Sequence, residues 1–514
     1  MSEASATATP PRELRSLARG GTLNTLGFAV AGVLGFVLTV VVTRGVGSSG
    51  AGVFFSAVAV FTILMQVAKF GADTGVVRFV SAYLARGQVR DVAPAIRIGA
   101  VPAAVAGVVA AAVAMIAAEP TARVFARDRP GDVAELLRLL GPYLPFAAVT
   151  IVLLAATRAY SMRPFVAIEN LTKPALKPAI ILALGVGGTL TSGELALGWG
   201  LPEAFACVAS LLALVILTRR EPVPVDAPPQ RPLGELASEF WRFAAPRGIA
   251  GAFQVSVFWL DVLLLGRYRE SGEVGAYAAA SRVAMVGTFA LQAIRIAIAP
   301  TISGLLARED RDGAQTLYQV ATWWLIALSW PMFLILAVFS PFVLSVFGAG
   351  FGIGSTALTI LAVAMLVNLG TGNVTVVLLM GGKSSWNLLN TAVAVTTNVS
   401  LNLLLIPPFG MEGAAVAWAA TIVVENVMAV AEVWRFLGMR PFGPGYAPVA
   451  IAALVCVGGV ALVARIVAGP DAVGFALAIV VAAPLYVAVL WRLRERLHLD
   501  VFLAALRRGG GRDG

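Results

Sequence analysis

Charged side chains are scarce in this chain, and that scarcity points to its class. Only 13% of the 514 residues are Asp, Glu, Lys or Arg, whereas 59% are hydrophobic, and the mean hydropathy is +0.87. A soluble domain carries about 25% charged residues. This composition excludes an ordinary soluble protein, and we expect the chain to lie in a membrane.

Histidine and cysteine are almost absent. The one histidine, His498, lies in the polar C-terminal segment, and Cys207 and Cys456 both lie inside apolar runs. Structural zinc sites are built from clustered cysteine and histidine, and histidine is the commonest general acid–base group. The chain also lacks a phosphate-binding loop of the Walker type. The sequence therefore predicts a protein that is not an enzyme, with no catalytic residues, no metal, no disulfide framework and no cofactor.

The chain contains a long series of continuous apolar runs. The hydrocarbon core of a bilayer is about 30 Å thick, and a helix needs about 20 apolar residues to cross it. Only helices and closed barrels satisfy their backbone groups in lipid, and continuous apolar runs favour helices. We predict an all-α polytopic membrane protein with about 14 transmembrane helices. The predicted spans are 22–43, 50–70, 93–118, 136–160, 168–188, 195–218, 245–266, 274–300, 315–339, 353–380, 385–406, 412–434, 447–468 and 473–491.

A proline-rich segment, 219–232, divides the chain into two comparable halves that echo each other. Segment 49–54 begins with Ser-Gly and opens the second predicted span, and segment 271–277 begins in the same way and opens the eighth. A Leu-Ala-Arg sequence follows each at 84–86 and 306–308, with the same spacing of 222 residues. This pattern predicts two six-helix lobes related by a pseudo-two-fold axis along the membrane normal, followed by two further C-terminal helices.

Basic residues indicate the topology. With the N-terminus inside, the even-numbered connections and both ends of the chain hold most of the 38 Lys and Arg residues. The positive-inside rule therefore places both termini in the cytoplasm. The net charge of +10 faces anionic membrane lipids, and we expect no nucleic-acid partner. The predicted parts are an N-terminal basic segment at 1–20, an N-lobe at 21–218, a linker at 219–235, a C-lobe at 236–440, two helices at 441–491 and a basic tail at 492–514.

Several ionisable side chains are predicted to lie within spans or at their ends. A charge at the centre of a membrane helix costs about 2.5–3.5 kcal/mol on insertion scales, so such residues are usually functional. Lys69 and Asp73 share one helical face, where they either form an internal ion pair or line a cavity in which the lysine meets an anionic substrate. The candidates are Lys69, Asp73, Asp261, Arg282, Arg295 and Glu425.

Arg282 and Arg295 lie on the eighth predicted span. Arginine stays charged in proteins and therefore needs an anion. Either these residues pair with Asp261 or Glu425 from a neighbouring helix, or they bind a phosphate or pyrophosphate group through the guanidinium fork. Asp261 is either a fixed counter-ion or a coupling site. The ion-coupling candidates, for H⁺ or Na⁺, are Asp73, Asp261 and Glu425.

Two polar patterns recur at helical spacing. Asn398 and Asn402 lie one turn apart on the eleventh predicted span, where they either bond between helices or line a substrate cavity. Glu169, Lys173 and Lys177 follow one another at steps of four residues near the start of the fifth span. We expect these three to form a solvated face that touches lipid headgroups.

Three groups of motifs occur in a set order along the chain. They are 19–24 through 43–44 to 50–54; 70–83; and 382–383 followed by Asn398, Asn402, 405–407, Gly410 and 413–417. The third group is the most specific because a polar helix, a proline exit and a glycine-alanine helix start follow in order. On these residues the chain resembles the polysaccharide-transporter branch of the multidrug/oligosaccharidyl-lipid/polysaccharide exporter superfamily, the oligosaccharide-lipid flippases.

The resemblance implies that the protein moves an undecaprenyl-pyrophosphate-linked oligosaccharide across a bacterial plasma membrane by alternating access, for surface polysaccharide biosynthesis. It also implies a cationic central cavity, to which Lys69, Arg78, Arg282 and Arg295 fit by residue type. Glycosyltransferases and a polysaccharide polymerase are the partner enzymes that such a role implies.

Three alternatives are weighed against this interpretation. Family members that flip the peptidoglycan precursor are expected to carry basic residues in the first helix, whereas this one is apolar until Arg44. Drug-exporting relatives tend to carry an acidic residue in that helix, and this chain has none there. A membrane-embedded glycan polymerase or glycosyltransferase would need a large loop with acidic or histidine residues, which the proline-rich linker does not provide.

Overall fold

Every secondary-structure element in a computed structural model of the protein is a helix, over the residues that the structure describes: 12–185, 188–220, 228–286 and 288–497. Parts of three predicted segments lie outside these residues. They are the N-terminal basic segment up to residue 11, the linker over 221–227, and the basic tail, with His498, beyond residue 497.

The helices follow the predicted order of apolar runs. Those of the first half are α1 (Arg12–Lys69), α2 (Ala72–Ala85), α3 (Val92–Ile116), α4 (Ala118–Phe125), α5 (Pro130–Leu140), α6 (Leu144–Arg158), α7 (Arg163–Phe165), α8 (Lys173–Leu184) and α9 (Ser192–Arg220). Those of the second half are α10 (Leu233–Tyr268), α11 (Ser271–Met285), α12 (Thr288–Ala307), α13 (Arg311–Val338), α14 (Ser340–Ser345), α15 (Ser355–Gly370), α16 (Val374–Met380), α17 (Ser384–Leu437), α18 (Tyr446–Ala453), α19 (Val460–Ala468) and α20 (Ala472–Arg492).

Two helices are long enough to cross a membrane twice. The apolar stretches Gly27–Ala85 and Ser385–Leu437 contain 59 and 53 residues, against about 20 for one crossing. Each has a break at a glycine with positive φ, 67° at Gly47 and 57° at Gly410, a region that glycine enters without steric cost. Both glycines lie between two predicted spans.

The described residues contain nine helices that are long and apolar enough to span a membrane, or ten if the bent pair Leu233–Ser256 and Phe258–Tyr268 is one span. The predicted class, an all-α polytopic membrane protein, is confirmed. The count of fourteen spans stays a prediction.

The main hydrophobic core lies where the two predicted lobes meet, along the contact of α1 with α11. Ala51 and Ala280 are fully buried there, beside the rings of Phe54 and Tyr277. Small residues on facing helices let the backbones approach, which is the usual basis of helix association in membranes. The alanine-rich sequence of α11 therefore fixes which face it turns toward α1.

The two repeated Ser-Gly segments pack directly against each other. A side chain at Gly52 would overlap the backbone oxygen of Ser271, and one at Gly275 would overlap the backbone oxygen of Ser48. We call this contact of residues 48–52 with 271–275 the hairpin seam, and the end of the bundle that contains it the hairpin end. The seam joins the two predicted lobes.

Polar contacts reinforce the hairpin seam. The carboxylate of Asp128 accepts hydrogen bonds from the amide (3.0 Å) and the hydroxyl (2.6 Å) of Ser271. The Nε of Arg44 donates to the backbone oxygen of Val346 at 2.8 Å. Each bond joins one predicted lobe to the other, so the hairpin end of the molecule is closed.

The linker is fastened to the opposite end, which we call the linker end. The amide and Nε of Arg231 donate to the buried carboxylate of Asp91 at 2.9 and 2.8 Å, and Nη1 donates to Glu239 at 3.1 Å. The hydrogen bond to Asp91 raises the pKa of Arg231 above its ordinary value, so the guanidinium stays charged at all physiological pH values. The linker is therefore held against the connection between α2 and α3.

Candidate functional site

A buried polar cluster joins α10, α11 and α17 in the predicted C-lobe. The hydroxyl of Tyr277 donates to Oδ2 of Asp261 at 3.0 Å, and Nδ2 of Asn402 donates to Oδ1 at 2.6 Å. The same amide nitrogen lies 3.0 Å from Oδ1 of Asn398. Asp261 and the pair Asn398 and Asn402, which the sequence predicts as candidates on different spans, thus form one site.

The Asp261 cluster has spare polar capacity. Asn398 and Asn402 have no exposed surface, and Nδ2 of Asn398 and Oδ1 of Asn402 have no hydrogen-bond partner. No ion pair among the described residues includes Asp261. A buried carboxylate without a basic partner is costly as an anion, and the hydrogen bonds from Tyr277 and Asn402 offset part of that cost.

Arg282 lies five residues after Tyr277 on α11 and is surrounded by aromatic rings. Its guanidinium carbon is 4.4 Å from the ring centroid of Trp259 and 5.7 Å from those of Phe55 and Phe258. The residue is half-buried, and within the described part of the chain it has no ion pair. The pairing with Asp261 or Glu425 considered above is not formed, so the charge of Arg282 is left without a counter-ion.

A cavity of about 690 Å³ is lined by Val283, the residue that follows Arg282 on α11, and by Val286, just past the end of that helix; Arg282 itself is not a lining residue. Side chains from α1, α13, α14 and the C-terminal helices complete the lining. The lining residues are Val33, Phe36, Val283, Val286, Pro331, Met332, Ile335, Leu336, Phe342, Val343, Val346, Val457, Phe475, Ile479, Ala482, Ala483, Tyr486 and Val487. None of them is charged, so this cavity differs from the cationic chamber that the family resemblance implies.

The other predicted site residues lie apart from this cluster. Nζ of Lys69 donates to Oδ2 of Asp73 at 2.9 Å, so the two form the internal ion pair that was one of the two expectations. Arg78 and Arg295 are exposed, and Glu425 is half-buried. In the described part of the chain, Arg295 and Glu425 make no ion pair.

The predicted solvated face on α8 is wrong. Lys173 and Lys177 are buried. The carboxylate of Glu203 on α9 compensates both charges, since it lies 3.4 Å from Nζ of Lys173 and 3.0 Å from Nζ of Lys177. Lys173 also donates to Glu169 at 2.6 Å, and Nζ of Lys177 lies 3.3 Å from the ring centroid of Trp199. Glu203, an acidic residue inside the sixth predicted span, was the sequence signal for this network, and it is absent from the predicted candidates.

The network distinguishes the two predicted lobes. Glu203, in the sixth predicted span, is held by two lysines. Glu425, in the twelfth, has no ion pair within the described residues. The last span of each predicted lobe thus carries an acidic residue, which is neutralised in one lobe and unpaired in the other.

Replacing Glu203 with glutamine is expected to lower the free energy of unfolding by about 3–5 kcal/mol, because two buried ammonium groups lose their shared partner. Thermal unfolding of the purified protein in detergent measures the change. The control is Glu119→Gln, which breaks only exposed pairs. Adding Lys177→Met to Glu203→Gln is expected to restore part of the loss, and equal unfolding temperatures for Glu203→Gln and the wild type would contradict the assigned role.

A bundle of long apolar helices that contains buried charged clusters defines a polytopic membrane protein. The model of the family described as "Polysaccharide biosynthesis protein" matches residues 17–306, and the MatE model matches residues 246–404. The first match covers more than half of the chain, and the chain belongs to that family. The family predicted from the sequence is confirmed.

Two curated relatives come from Haloferax volcanii. The chain is 26% identical over 243 residues to the "Probable low-salt glycan biosynthesis flippase Agl15", which covers 46% of this chain and 51% of that protein. It is 29% identical over 193 residues to the "Probable flippase AglR", which covers 34% and 38% respectively. The chain therefore matches about half or less of the length of these relatives.

Solved structures share the fold over most of their length. One is described as "Lipid II flippase MurJ, inward closed conformation": its TM-score is 0.69 at 11% identity, and the match covers 93% of this chain and 99% of that one. Another is an inward-facing multidrug resistance MATE family transporter of the MOP superfamily, with a TM-score of 0.61, 14% identity, and 81% and 98% coverage. At such identities the likeness supports the fold alone.

Proposed function

We propose that the protein flips a lipid-linked oligosaccharide, carried on undecaprenyl pyrophosphate, from the inner to the outer leaflet of a bacterial plasma membrane. The observation that carries this proposal is the position of Arg282. This cation has no counter-ion in the described part of the chain, and its neighbour Val283 lines an apolar cavity. A substrate that joins an anionic pyrophosphate to a hydrocarbon chain matches both features.

The chemistry of the guanidinium and phosphate groups supports this match. Arginine binds phosphate groups through two parallel hydrogen bonds, and such bonds strengthen where water is excluded. The ring of Trp259 supports one face of the guanidinium, which leaves its N–H edge free to donate. The apolar cavity lined by Val283, the next residue of α11, suits part of the polyprenyl chain, and the oligosaccharide would lie toward the space between the lobes.

The Asp261 cluster is the proposed coupling site. A proton or Na⁺ that reached Asp261 would neutralise its carboxylate and find a further oxygen on Asn402. Tyr277 and Arg282 both belong to α11, so a change of charge at Asp261 would act on the helix that carries the proposed substrate ligand. Asp73 is less available for this role because Lys69 already neutralises it.

Closure of the hairpin end supports alternating access. The positive-inside rule favours a linker end at the cytoplasmic face. Glycosyltransferases would assemble such substrates on that side, and a polymerase would receive the product on the other. The hairpin seam would then separate for release, while the linker end closes. At Gly52 and Gly275 the seam is backbone against backbone, and its separation would break the hydrogen bonds of Asp128 with Ser271 and of Arg44 with Val346.

A reconstitution experiment tests the proposed function. Proteoliposomes of the purified full chain are loaded with a fluorescent polyprenyl-pyrophosphate oligosaccharide, and its accessibility to an external quencher is followed. We expect movement well above that in protein-free vesicles. We also expect an imposed Na⁺ or H⁺ gradient to change the rate, and Asp261→Asn to remove that dependence.

Two further substrates distinguish the alternatives in the same vesicles. Fluorescent lipid II tests the peptidoglycan-precursor role, and ethidium tests drug export, for which the MatE match gives independent support. Movement of ethidium without movement of either glycan lipid would overturn the proposed function in favour of a drug exporter.

A further inference from the structure

Two arginines from different predicted lobes share one aromatic ring at the linker end. The guanidinium carbons of Arg78 on α2 and Arg247 on α10 each lie 4.0 Å from the ring centroid of Phe243. The two guanidinium carbons are therefore at most twice 4.0 Å apart. Both arginines are exposed, and Phe243 is half-buried. We call this group the arginine stack.

Close backbone contact between α2 and α10 holds the stack together. Glycines stand where the helices cross: a side chain at Gly71 would overlap the backbone oxygen of Ala244, and one at Gly248 would overlap the backbone at Phe70. The positive φ of Gly71, 78°, begins α2 at this crossing. The arginines are thus brought together by rigid backbone rather than by flexible loops.

The stack carries two positive charges without compensation. Within the described residues, neither Arg78 nor Arg247 forms an ion pair, and their contacts are with aromatic rings. Two like charges at this separation repel each other, whereas an anion at the edge of the Phe243 ring, within reach of both guanidinium groups, is attracted to both. A guanidinium that stacks on a ring through its face keeps its N–H edge free for a phosphate oxygen. The arrangement is therefore suited to an anion with several oxygens.

The stack and Arg282 lie at different depths. Arg247 precedes Trp259, the ring under Arg282, by 12 residues on α10. That separation is about 18 Å along the helix, which bends by 45° between Ser256 and Phe258, so the stack and Arg282 lie well apart along α10. Arg242 and Arg247 mark the linker end of α10, so the stack lies where a headgroup would arrive from the cytoplasmic leaflet.

We propose that Arg78, Phe243 and Arg247 form a capture site for the phosphate groups of the lipid-linked substrate, which is occupied before the substrate reaches Arg282. The ligand chemistry is a lipid-borne phosphate or pyrophosphate, and we commit to the pyrophosphate of the glycan carrier rather than to a bulk phospholipid. This inference rests on the proposed function. It also assigns a role to Arg247 and Phe243, which the sequence analysis did not identify.

A binding measurement tests the capture site. The full chain is placed in phosphatidylcholine nanodiscs and titrated with farnesyl pyrophosphate by calorimetry. Hydrogen bonds to charged groups contribute enough that we expect Arg78→Gln and Arg247→Gln each to weaken binding about tenfold. Arg78→Lys and Arg247→Lys keep the charge but lose the planar stack, so their affinities should lie between those of the wild type and of the glutamine variants. The matched control, Arg242→Gln, removes an exposed arginine of α10 that has no ring contact and should bind like the wild type.

Each outcome bears on the inference or on the proposed function. If Arg282→Gln weakens binding while Arg78→Gln and Arg247→Gln do not, the capture site is wrong and the proposed function stands. If the wild type binds no farnesyl pyrophosphate, both are overturned. If nanodiscs that contain phosphatidylglycerol abolish binding through these two arginines, the stack holds bulk phospholipid and not the substrate.

Discussion

Replacing Arg282 with glutamine is expected to slow glycan-lipid flipping by about 100-fold in the vesicle assay, because the loss of a charge-assisted fork to a phosphate costs about 3 kcal/mol. The surroundings make the residue hard to replace. Trp259, Phe55 and Phe258 surround part of the guanidinium, and no carboxylate in the described part of the chain pairs with it. An interaction in such a setting is worth more than the same interaction at a surface.

Arg282→Lys separates charge from geometry. Lysine keeps the positive charge but cannot donate a planar fork or stack on Trp259 as a guanidinium does, so we expect a rate between those of the wild type and Arg282→Gln. Arg267→Gln, which removes an exposed arginine of α10 at the hairpin end, is the control and should keep full activity. Full activity in a well-folded Arg282→Gln protein would remove this residue from the mechanism.

The fold was predictable because its causes are local. Twenty apolar residues in a row dictate a helix in lipid, and the proline-rich linker ends one set of helices before the next begins. The hairpins at Gly47 and Gly410 fall between predicted spans because a break in an apolar run leaves the chain free to reverse. The repeat identified Ser49 and Ser271 as related but not that their segments touch, since sequence similarity carries no information on contact.

The candidate site was only partly predictable because its contacts are not local. Asp261 and Asn402 are 141 residues apart, and only the packing of α10 against α17 joins them. The wrong prediction for Lys173 and Lys177 has the same cause, a contact with a residue distant in the sequence. Their helical spacing is identical for a solvated face and for a buried one, and what decides between the two is Glu203, which comes from another helix 30 residues beyond Lys173.

Locking the hairpin seam is expected to stop transport completely. A Cβ at Gly272 would lie 3.4 Å from the hydroxyl oxygen of Ser49, so side chains at these two positions meet, as a disulfide requires. In the variant Ser49→Cys/Gly272→Cys, with Cys207 and Cys456 replaced by alanine, oxidation should join the two predicted lobes at their closed end. Substrate would still bind from the linker end but would have no exit.

The reversibility of the cross-link makes this prediction decisive for alternating access. Glycan-lipid movement in the vesicle assay should fall to background on oxidation and return on reduction, while each single-cysteine variant stays active under both conditions. Binding of farnesyl pyrophosphate should survive oxidation, because the arginine stack lies at the other end of α10. The contradicting outcome is an oxidised protein, with its cross-link verified by mass spectrometry, that flips the substrate as fast as the same protein after reduction. Separation of the seam would then not be part of the transport cycle, and the path would lie along the outside of the lobes.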